Sequence, residues 1–330
     1  MAEIVAIVGG FDGTVDLPSV EVSPSDSAAW VLPAGGMPTV RSAFGLAAAG
    51  GRVYCAGGSA GSVSHDVVES FTLADGQCTW RSEPSLSTKR MAVSLVATLD
   101  GTLWCAGGFT HDDGSLTTVE QLAPGTAAWH AAPELLVPRC SFGFVESGGA
   151  ALAFGGFGPM DVGALDSCEL LDPRTATWQQ LPPMAQRRSC LAAAALSADR
   201  ILVCGGHDGA RALDTVEVFD LRAGRWEAAP PMPTARSGPA AASVAPGKVW
   251  VLGGYPDGTV ACSEACALAV VEVWDGGAWT SEASLSCGRT GAGAVSLGLG
   301  PPRAEAARRR RHRYDACEAA RRAADQACFQ

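Results

Sequence analysis

The chain has 330 residues, of which 47% are hydrophobic, and a formal net charge of −10 at pH 7. This length exceeds one average domain but is ordinary for a repeat fold, and the apolar content is sufficient for a large core. No long uninterrupted apolar run is present and the first residues carry no basic segment, so we expect neither a membrane span nor a signal peptide. These features favour a cytoplasmic protein.

The charge is distributed unevenly along the chain. Residues 303–330 contain eight arginines and four acidic residues, which leaves a net charge of −14 on the remainder. An acidic body argues against nucleic-acid binding. We interpret residues 299–330 as a basic, Ala- and Arg-rich tail that is helical or disordered, and the alternative is that its Arg308–Arg313 run serves nuclear import or an acidic partner.

Six apolar runs that each end in a Gly-Gly pair recur along the chain. The pairs are Gly9-Gly10, Gly57-Gly58, Gly107-Gly108, Gly155-Gly156, Gly205-Gly206 and Gly253-Gly254. They are followed by the glutamates Glu21, Glu69, Glu120, Glu169, Glu217 and Glu272 and by the tryptophans Trp30, Trp80, Trp129, Trp178, Trp226 and Trp279. Successive pairs are 48 or 50 residues apart, and a constant period of this size is the signature of a repeat architecture.

The repeat between residues 189 and 236 shows the unit most clearly. A strand of small residues at 190–196 precedes an apolar strand at 201–204, residues 215–219 alternate as a third strand, and Trp226 opens a fourth. Four short strands joined by turns rich in Gly, Asp and Pro predict one blade of a β-propeller. We expect the small strands to converge on a crowded axis, the tryptophans to pack between blades, and the Gly-Gly pairs and glutamates to be structural.

The ends of the chain are out of phase with the repeat. Residues 4–8 form the second strand of a unit that lacks its first, and residues 290–297 form a first strand that lacks its second. The last strand therefore completes the blade that the first residues begin, so that no edge stays open. We predict an all-β, six-bladed propeller over residues 2–298, closed by its C-terminal inner strand.

Several segments resemble the Kelch repeat, among them Glu217–Asp220, Arg225-Trp226, Pro230–Ser237 and Val249–Gly254. The resemblance covers nearly all of residues 2–298 and is greatest to the Kelch domains of BTB-Kelch proteins, which are substrate-recognition subunits of cullin-3 ubiquitin ligases. It implies a protein-interaction module, here without the BTB and BACK domains that bind the cullin. The alternative binding role is an actin-binding, cytoskeletal scaffold.

Two repeating positions are candidates for binding a partner. An arginine precedes each inner strand: Arg41, Arg90, Arg139, Arg188, Arg236 and Arg289. The residues that follow the Gly-Gly pairs are Phe11, Ser59, Phe109, Phe157, His207 and Tyr255. By propeller topology both sets lie on the same face, and arginine beside aromatic side chains is typical of a binding hot spot.

In the resembled Kelch domains this face binds short acidic segments, with arginines on the carboxylates. The resemblance therefore implies a site for an acidic partner segment made of the six arginines with Phe11, Phe109, Phe157, His207 and Tyr255. Arg188 and Arg236 are the foremost contacts, because each is followed by serine as in the family. The alternative is that the arginines bond backbone carbonyls of the neighbouring blade.

The sequence offers little for catalysis. No two of its five histidines stand at metal-ligand spacing, and its three tyrosines are a poor supply for a copper site like that of galactose oxidase. Cys262 and Cys266 could form a disulfide or half of a zinc site, but no second pair has suitable spacing. We predict no catalytic residue, no metal and no cofactor, and the alternative is a carbohydrate epimerase or oxidase-like enzyme.

The twelve cysteines are expected to be free thiols in a cytosolic protein. Cys55, Cys105 and Cys204 lie in the strands that end at Gly-Gly pairs, where cysteine acts as a small hydrophobic residue. We predict that these three are buried and unreactive, whereas Cys262 and Cys266 are exposed in the longest loop.

Overall fold

In the computed structural model, residues 3–24, 29–172, 175–256 and 267–298 are described. Within these ranges all regular secondary structure is β-strand, and six antiparallel sheets surround one axis. The predicted all-β, six-bladed propeller is confirmed. Residues 299–330 lie outside the described residues, as do Cys262 and Cys266, so the predictions made for them stay predictions.

The strands follow the chain blade by blade. Blade 1 contains β1 (Glu3–Val8) and β2 (Val20–Pro24). Blade 2 contains β3 (Gly45–Ala49), β4 (Arg52–Ala56), β7 (Val68–Ala74) and β8 (Gln77–Glu83), with a small hairpin of β5 (Ser59–Ala60) and β6 (Val63–Ser64). Blade 3 contains β9 (Ser94–Ala97), β10 (Leu103–Ala106), β13 (Val119–Leu122) and β14 (His130–Ala132), with a hairpin of β11 (Phe109–Thr110) and β12 (Gly114–Ser115).

The second half of the chain repeats this order. Blade 4 contains β15 (Gly143–Ser147), β16 (Ala150–Phe154), β17 (Cys168–Asp172) and β18 (Thr177–Leu181). Blade 5 contains β19 (Ala192–Ala195), β20 (Arg200–Cys204), β21 (Val216–Asp220) and β22 (Arg225–Ala229). Blade 6 contains β23 (Ala240–Ala245), β24 (Lys248–Leu252), β25 (Val271–Asp275) and β26 (Ala278–Glu282), and the last strand is β27 (Gly293–Gly298).

The last strand closes the ring as predicted. β27 pairs antiparallel with β1, with Val8 opposite Gly293 and Glu3 opposite Gly298. It is therefore the inner strand of blade 1, and the inner strands of successive blades contact one another in a closed circle. Blade 1 differs from the prediction in its fourth strand, which is reduced among the described residues to one bridge between Val22 and Val31.

The hydrophobic core is divided among the six blade interfaces. Each of six buried clusters combines residues of two neighbouring blades; one, for example, joins Phe154 of blade 4 to Phe219 of blade 5. The inner strands approach closely, since a Cβ built on Gly143 would lie 2.7 Å from the Cβ of Ala193. The inner strands therefore need small residues, because larger side chains would clash with the neighbouring inner strand.

Each repeating tryptophan links its blade to the preceding one. The indole N–H of Trp129 donates to the carbonyl of Pro84 at 2.8 Å, and that of Trp178 donates to the carbonyl of Pro133 at 2.8 Å. Trp30, Trp80, Trp226 and Trp279 make the equivalent bond. The predicted packing of the tryptophans between blades is confirmed, and the bond of Trp30 to Ala283 joins blade 1 to blade 6.

The predicted burial of three thiols is also confirmed. Cys55, Cys105 and Cys204 are fully buried, and desolvation raises the pKa of each to about 12. Because the thiolate is the reactive form, these side chains should resist iodoacetamide in the native protein at about pH 8, while the half-buried Cys190 is alkylated. Mass spectrometry of the labelled protein measures this, and labelling of Cys55 ahead of Cys190 would contradict it.

Candidate functional site

The six repeating arginines are buried inside the propeller. Their side chains are 0–1% exposed. Each forms an ion pair with the repeating glutamate of its blade: Arg41–Glu69 at 2.8 Å, Arg139–Glu169 at 2.5 Å, Arg188–Glu217 at 2.7 Å, Arg236–Glu272 at 2.6 Å, Arg90–Glu120 and Arg289–Glu21. The last pair joins the two ends of the chain.

Blade 5 shows what such a pair holds together. Nη1 of Arg188 donates to the carbonyls of Gly205 at 2.9 Å and Thr215 at 3.0 Å, at the end of β20 and the start of β21. Glu217 accepts the backbone N–H of Ala185 at 2.7 Å, in the loop before the inner strand. The pair thus braces three segments of one blade, and the repeating glutamates are structural as predicted.

The prediction that the six arginines contact a partner is therefore wrong. Burial removes Arg41, Arg90, Arg139, Arg188, Arg236 and Arg289 from the surface, and the glutamates neutralise them. The alternative, bonding to backbone carbonyls, is closer to the structure, but the carbonyls bonded by the guanidinium groups belong to the arginine's own blade. The expected preference for an acidic segment loses its basis, because it depended on these charges.

In each blade, the residue after the repeating arginine forms a backbone bridge with the residue after the Gly-Gly pair. In blade 4, Cys140 and Phe157 exchange two backbone hydrogen bonds of 3.0 and 2.8 Å, and the same bridge recurs in the other blades. The predicted placement of both sets of loops on one face is confirmed. We call this side of the propeller the mouth face, and the side with the β3–β4 and β7–β8 turns and their equivalents the opposite face.

The predicted aromatic and imidazole positions lie at these bridges. The side chains of Phe11, Phe109, Phe157, His207 and Tyr255 are each half-buried. The structure brings them to the mouth face, and their contact with a partner stays a prediction. Phe11 is the member of this set that also lines the cavity on the axis.

A ring of backbone hydrogen bonds encircles the axis at the mouth. It is formed by the second residue after each arginine: Ala43, Ala92, Ser141, Cys190, Gly238 and Gly291. Each N–H donates to the carbonyl of the equivalent residue in the preceding blade, at 2.7–3.2 Å, and all six residues have φ between 49° and 64°. Because only glycine adopts this conformation without steric cost, four strained non-glycine residues indicate that the surrounding blades hold the ring in place.

This ring lines an axial cavity of about 510 Å³. Phe11, Phe44 and Phe142 supply aromatic surface, and Ser94, Ser237 and Thr290 are among the residues that supply hydroxyl groups. Among the described lining residues, Asp16 is the single one of the Asp, Glu, Lys, Arg and His types. The cavity lies within the size range of ligand pockets, roughly 300–1,000 Å³.

The loops after the Gly-Gly pairs surround the cavity, and we call residues 11–17, 59–66, 109–117, 157–165 and 207–213 the mouth loops. Eight large hydrophobic side chains are strongly exposed among the described residues, and five lie on the mouth face: Val15, Val63, Met160 and Val162 on mouth loops and Leu136 in the loop before β15. Met160 is 84% exposed. The mouth loops also contain seven aspartates against one arginine, Arg211, while the exposed Lys89, Glu134 and Arg187 lie in the loops before the inner strands. This face is therefore apolar and net acidic.

Blade 2 departs from the others at one half-buried position. In every blade, the carbonyl of the second glycine of the Gly-Gly pair accepts a hydrogen bond from a backbone N–H further along the same loop. The donor is a leucine in five blades (Leu17, Leu116, Leu165, Leu213 and Leu268) and His65 in blade 2. Nε2 of His65 has no hydrogen-bond partner among the described residues. Desolvation, with the charge of Arg41 as a further cause, lowers the pKa of His65 below its usual 6.5.

Because the pKa of His65 is lowered in the folded protein, the free energy of unfolding should depend on pH. Below pH 6.5 the unfolded chain binds a proton at this position that the folded chain resists, so the free energy of unfolding should fall as the pH drops. His65→Leu restores the residue of the other blades and should lose less stability between pH 7 and about pH 5. Urea unfolding of both proteins measures this, and equal losses would contradict it.

In the part of the chain that the structure describes, no three or more His, Cys, Asp or Glu side chains are grouped to hold a metal ion. The same residues include no helix long and apolar enough to cross a membrane.

The geometry defines the chain as a repeat propeller closed by its own last strand. Three segments, residues 41–87, 138–185 and 188–233, match the Kelch motif and fall in blades 2, 4 and 5. The chain is a six-bladed β-propeller that contains Kelch motifs. No curated protein sequence matches it.

The propeller is similar to the solved structure of YjhT. The comparison gives a TM-score of 0.65 with 16% sequence identity over 78% of this chain and 88% of that chain. At this identity the likeness concerns the fold.

Proposed function

We propose that this Kelch propeller is a protein-interaction module that binds a segment of a partner protein on its mouth face. The observation that carries the proposal is the concentration of exposed apolar side chains there: five of the eight among the described residues. Exposed apolar side chains that cluster on one face, with polar residues among them, are typical of an interaction surface. The half-buried aromatic residues beside them supply rigid contact area of the kind that dominates binding energy.

Rigid support is the second argument for this surface. The mouth loops are anchored by paired backbone bridges in every blade and by the closed hydrogen-bonded ring below them. A surface that is already ordered loses little conformational entropy on binding. The propeller therefore presents its apolar residues to a partner at low entropic cost.

The proposal is tested by a triple variant of the mouth face, Leu136→Ser/Met160→Ser/Val162→Ser. These side chains are 49–84% exposed, so their replacement should leave the melting temperature nearly unchanged while partner capture is lost. Leu99→Ser is the matched control, because Leu99 is 43% exposed in the β9–β10 turn on the opposite face. Quantitative affinity purification compares the variants, and undiminished capture by the folded triple variant would contradict the proposal.

The pathway that the Kelch resemblance supports is substrate recognition for a cullin-3-type ubiquitin ligase in the cytoplasm. Such a role needs a component that binds the cullin, so cullin-3 and its adaptors should co-purify with the chain. Actin in their place would indicate a cytoskeletal scaffold. Loss of either partner in the triple mouth variant, and not in Leu99→Ser, would assign it to the mouth face.

We also propose that the propeller has no catalytic activity. The competing function is a carbohydrate-active enzyme with its site at the same mouth. A metal assay of the purified chain and a thermal-shift screen against carbohydrates separate the two functions. A stoichiometric metal together with a sugar-dependent rise in melting temperature would contradict the proposal.

A further inference from the structure

The electrostatic character of the axial cavity follows from the burial of the arginines. All six guanidinium groups are paired with glutamates, and none of the six arginines lines the cavity. The described residues of the lining include no lysine, arginine or histidine, and Asp16 is the single carboxylate among them. The cavity is therefore negative, in contrast to the positive site that the sequence predicts.

Asp16 keeps most of its hydrogen-bonding capacity. Its Oδ2 accepts the backbone N–H of Gly61 at 3.1 Å, which ties blade 1 to the mouth loop of blade 2. Its Oδ1 is buried and accepts no hydrogen bond from the described residues. Because each oxygen of an ionised carboxylate offers about two acceptor sites, Oδ2, whose bond to Gly61 is exposed, can also receive a cationic donor without losing that bond.

The surroundings of Asp16 suit the same ligand. Phe11, whose backbone forms a bridge with that of Asp16, lines the cavity, and aromatic rings attract cations as well as apolar groups. Around the cavity, the mouth loops carry seven aspartates against one arginine, and the exposed Lys89 and Arg187 of the loops before the inner strands offset only part of this charge. The net field attracts positive charge and repels negative charge. Apolar side chains such as Val15 and Val63 border these acidic groups on the mouth loops of blades 1 and 2.

We propose that the partner segment inserts one lysine or arginine side chain into the axial cavity, where the Asp16 carboxylate binds it, while apolar residues of the segment contact the mouth loops. This inference rests on the proposed binding role of the mouth face. An ammonium or guanidinium group supplies the donor that Asp16 lacks, and its alkyl stem contacts the aromatic lining. An acidic segment would be repelled by both the cavity and the loops.

The test begins with a phage-displayed library of random peptides that is selected on the full chain. Selected peptides should contain a required lysine or arginine with apolar neighbours and no excess of acidic residues. The tightest-binding selected peptide is then made with arginine at its required basic position, whether the selection gave arginine or lysine there. Citrulline in place of this arginine keeps the shape of the side chain and removes its charge. This exchange should weaken binding at least about tenfold. Fluorescence anisotropy measures the dissociation constants.

Asp16→Asn provides the complementary variant in the protein. Asparagine retains an acceptor for Gly61 and removes the charge, so the melting temperature should change little while affinity for the selected peptide falls at least about tenfold. Asp75→Asn is the control, because Asp75 is exposed in the β7–β8 turn on the opposite face. It should bind as the wild type does.

The outcomes separate this inference from the proposed function. Peptides that bind the mouth face but are acidic, or that ignore both citrulline exchange and Asp16→Asn, would overturn the inference and leave the interaction module standing. If every selected peptide binds the Leu136→Ser/Met160→Ser/Val162→Ser variant as well as the wild type, or if no peptide is selected, the proposed function is contradicted and the inference with it.

Discussion

Replacing Arg188 by alanine should destabilise the protein by about 3–5 kcal/mol, because it leaves the carboxylate of Glu217 buried without its counter-ion. Arg188 is fully buried and Glu217 is 5% exposed, so water cannot take over the lost contact. The variant also removes the donors to Gly205 and Thr215. A surface contact with a partner, which the resemblance implies for Arg188 and Arg236, would instead leave the melting temperature of the alanine variants nearly unchanged.

The adjacent Arg187 offers a matched control. It is exposed and lies in the same loop, so Arg187→Ala should shift the free energy of unfolding by less than about 0.5 kcal/mol. A double variant, Arg188→Met/Glu217→Leu, removes both charges and should recover part of the stability lost by Arg188→Ala. Urea unfolding measures all three, and equal stability of Arg188→Ala and Arg187→Ala would contradict the bracing role of the ion pair.

Deletion of residues 289–298 should abolish the cooperative unfolding transition. The deletion removes β27, which is the inner strand of blade 1, and the ion pair of Arg289 with Glu21. The two interfaces that blade 1 makes with blades 2 and 6 then lose apolar contacts, and β1 becomes an open edge. We expect insoluble or molten protein, detected by loss of the near-ultraviolet circular dichroism signal.

A deletion of residues 299–330 is the control for ring closure. It leaves every described strand in place, so its melting temperature should equal that of the full chain. A folded 289–298 deletion with an unchanged melting temperature would show that the ring closes without β27.

The repeat made the fold predictable, because period, strand order and closure are all recorded in positions that recur. The same recurrence led to the wrong prediction that the arginines bind a partner. Their recurrence places Arg188 at the mouth end of an inner strand but does not say which way the side chain turns. The repeating glutamates could have corrected this prediction. An acid and a base that each occur once in every unit indicate a buried ion pair, such as that of Arg188 with Glu217.

The candidate site lies instead in residues that do not repeat. Asp16, Met160 and His65 each differ from the residues at equivalent positions in the other blades, and no periodic pattern marks them. The bridge between the two sets of loops was predictable from topology, but the exposure of Met160 depends on the path of one loop. Differences among blades were therefore the signal in the sequence for a binding surface.

Amide hydrogen exchange of the full chain, with and without a selected binding peptide, tests most directly whether the mouth face is the interaction surface. We predict slower exchange in the mouth loops, above all at residues 11–17 and 157–165, where an ordered partner would exclude water. The turns of the opposite face at residues 73–77 and 220–225 should be unaffected. Protection confined to those turns, with no change in the mouth loops, would contradict the assignment of the mouth face as the interaction surface.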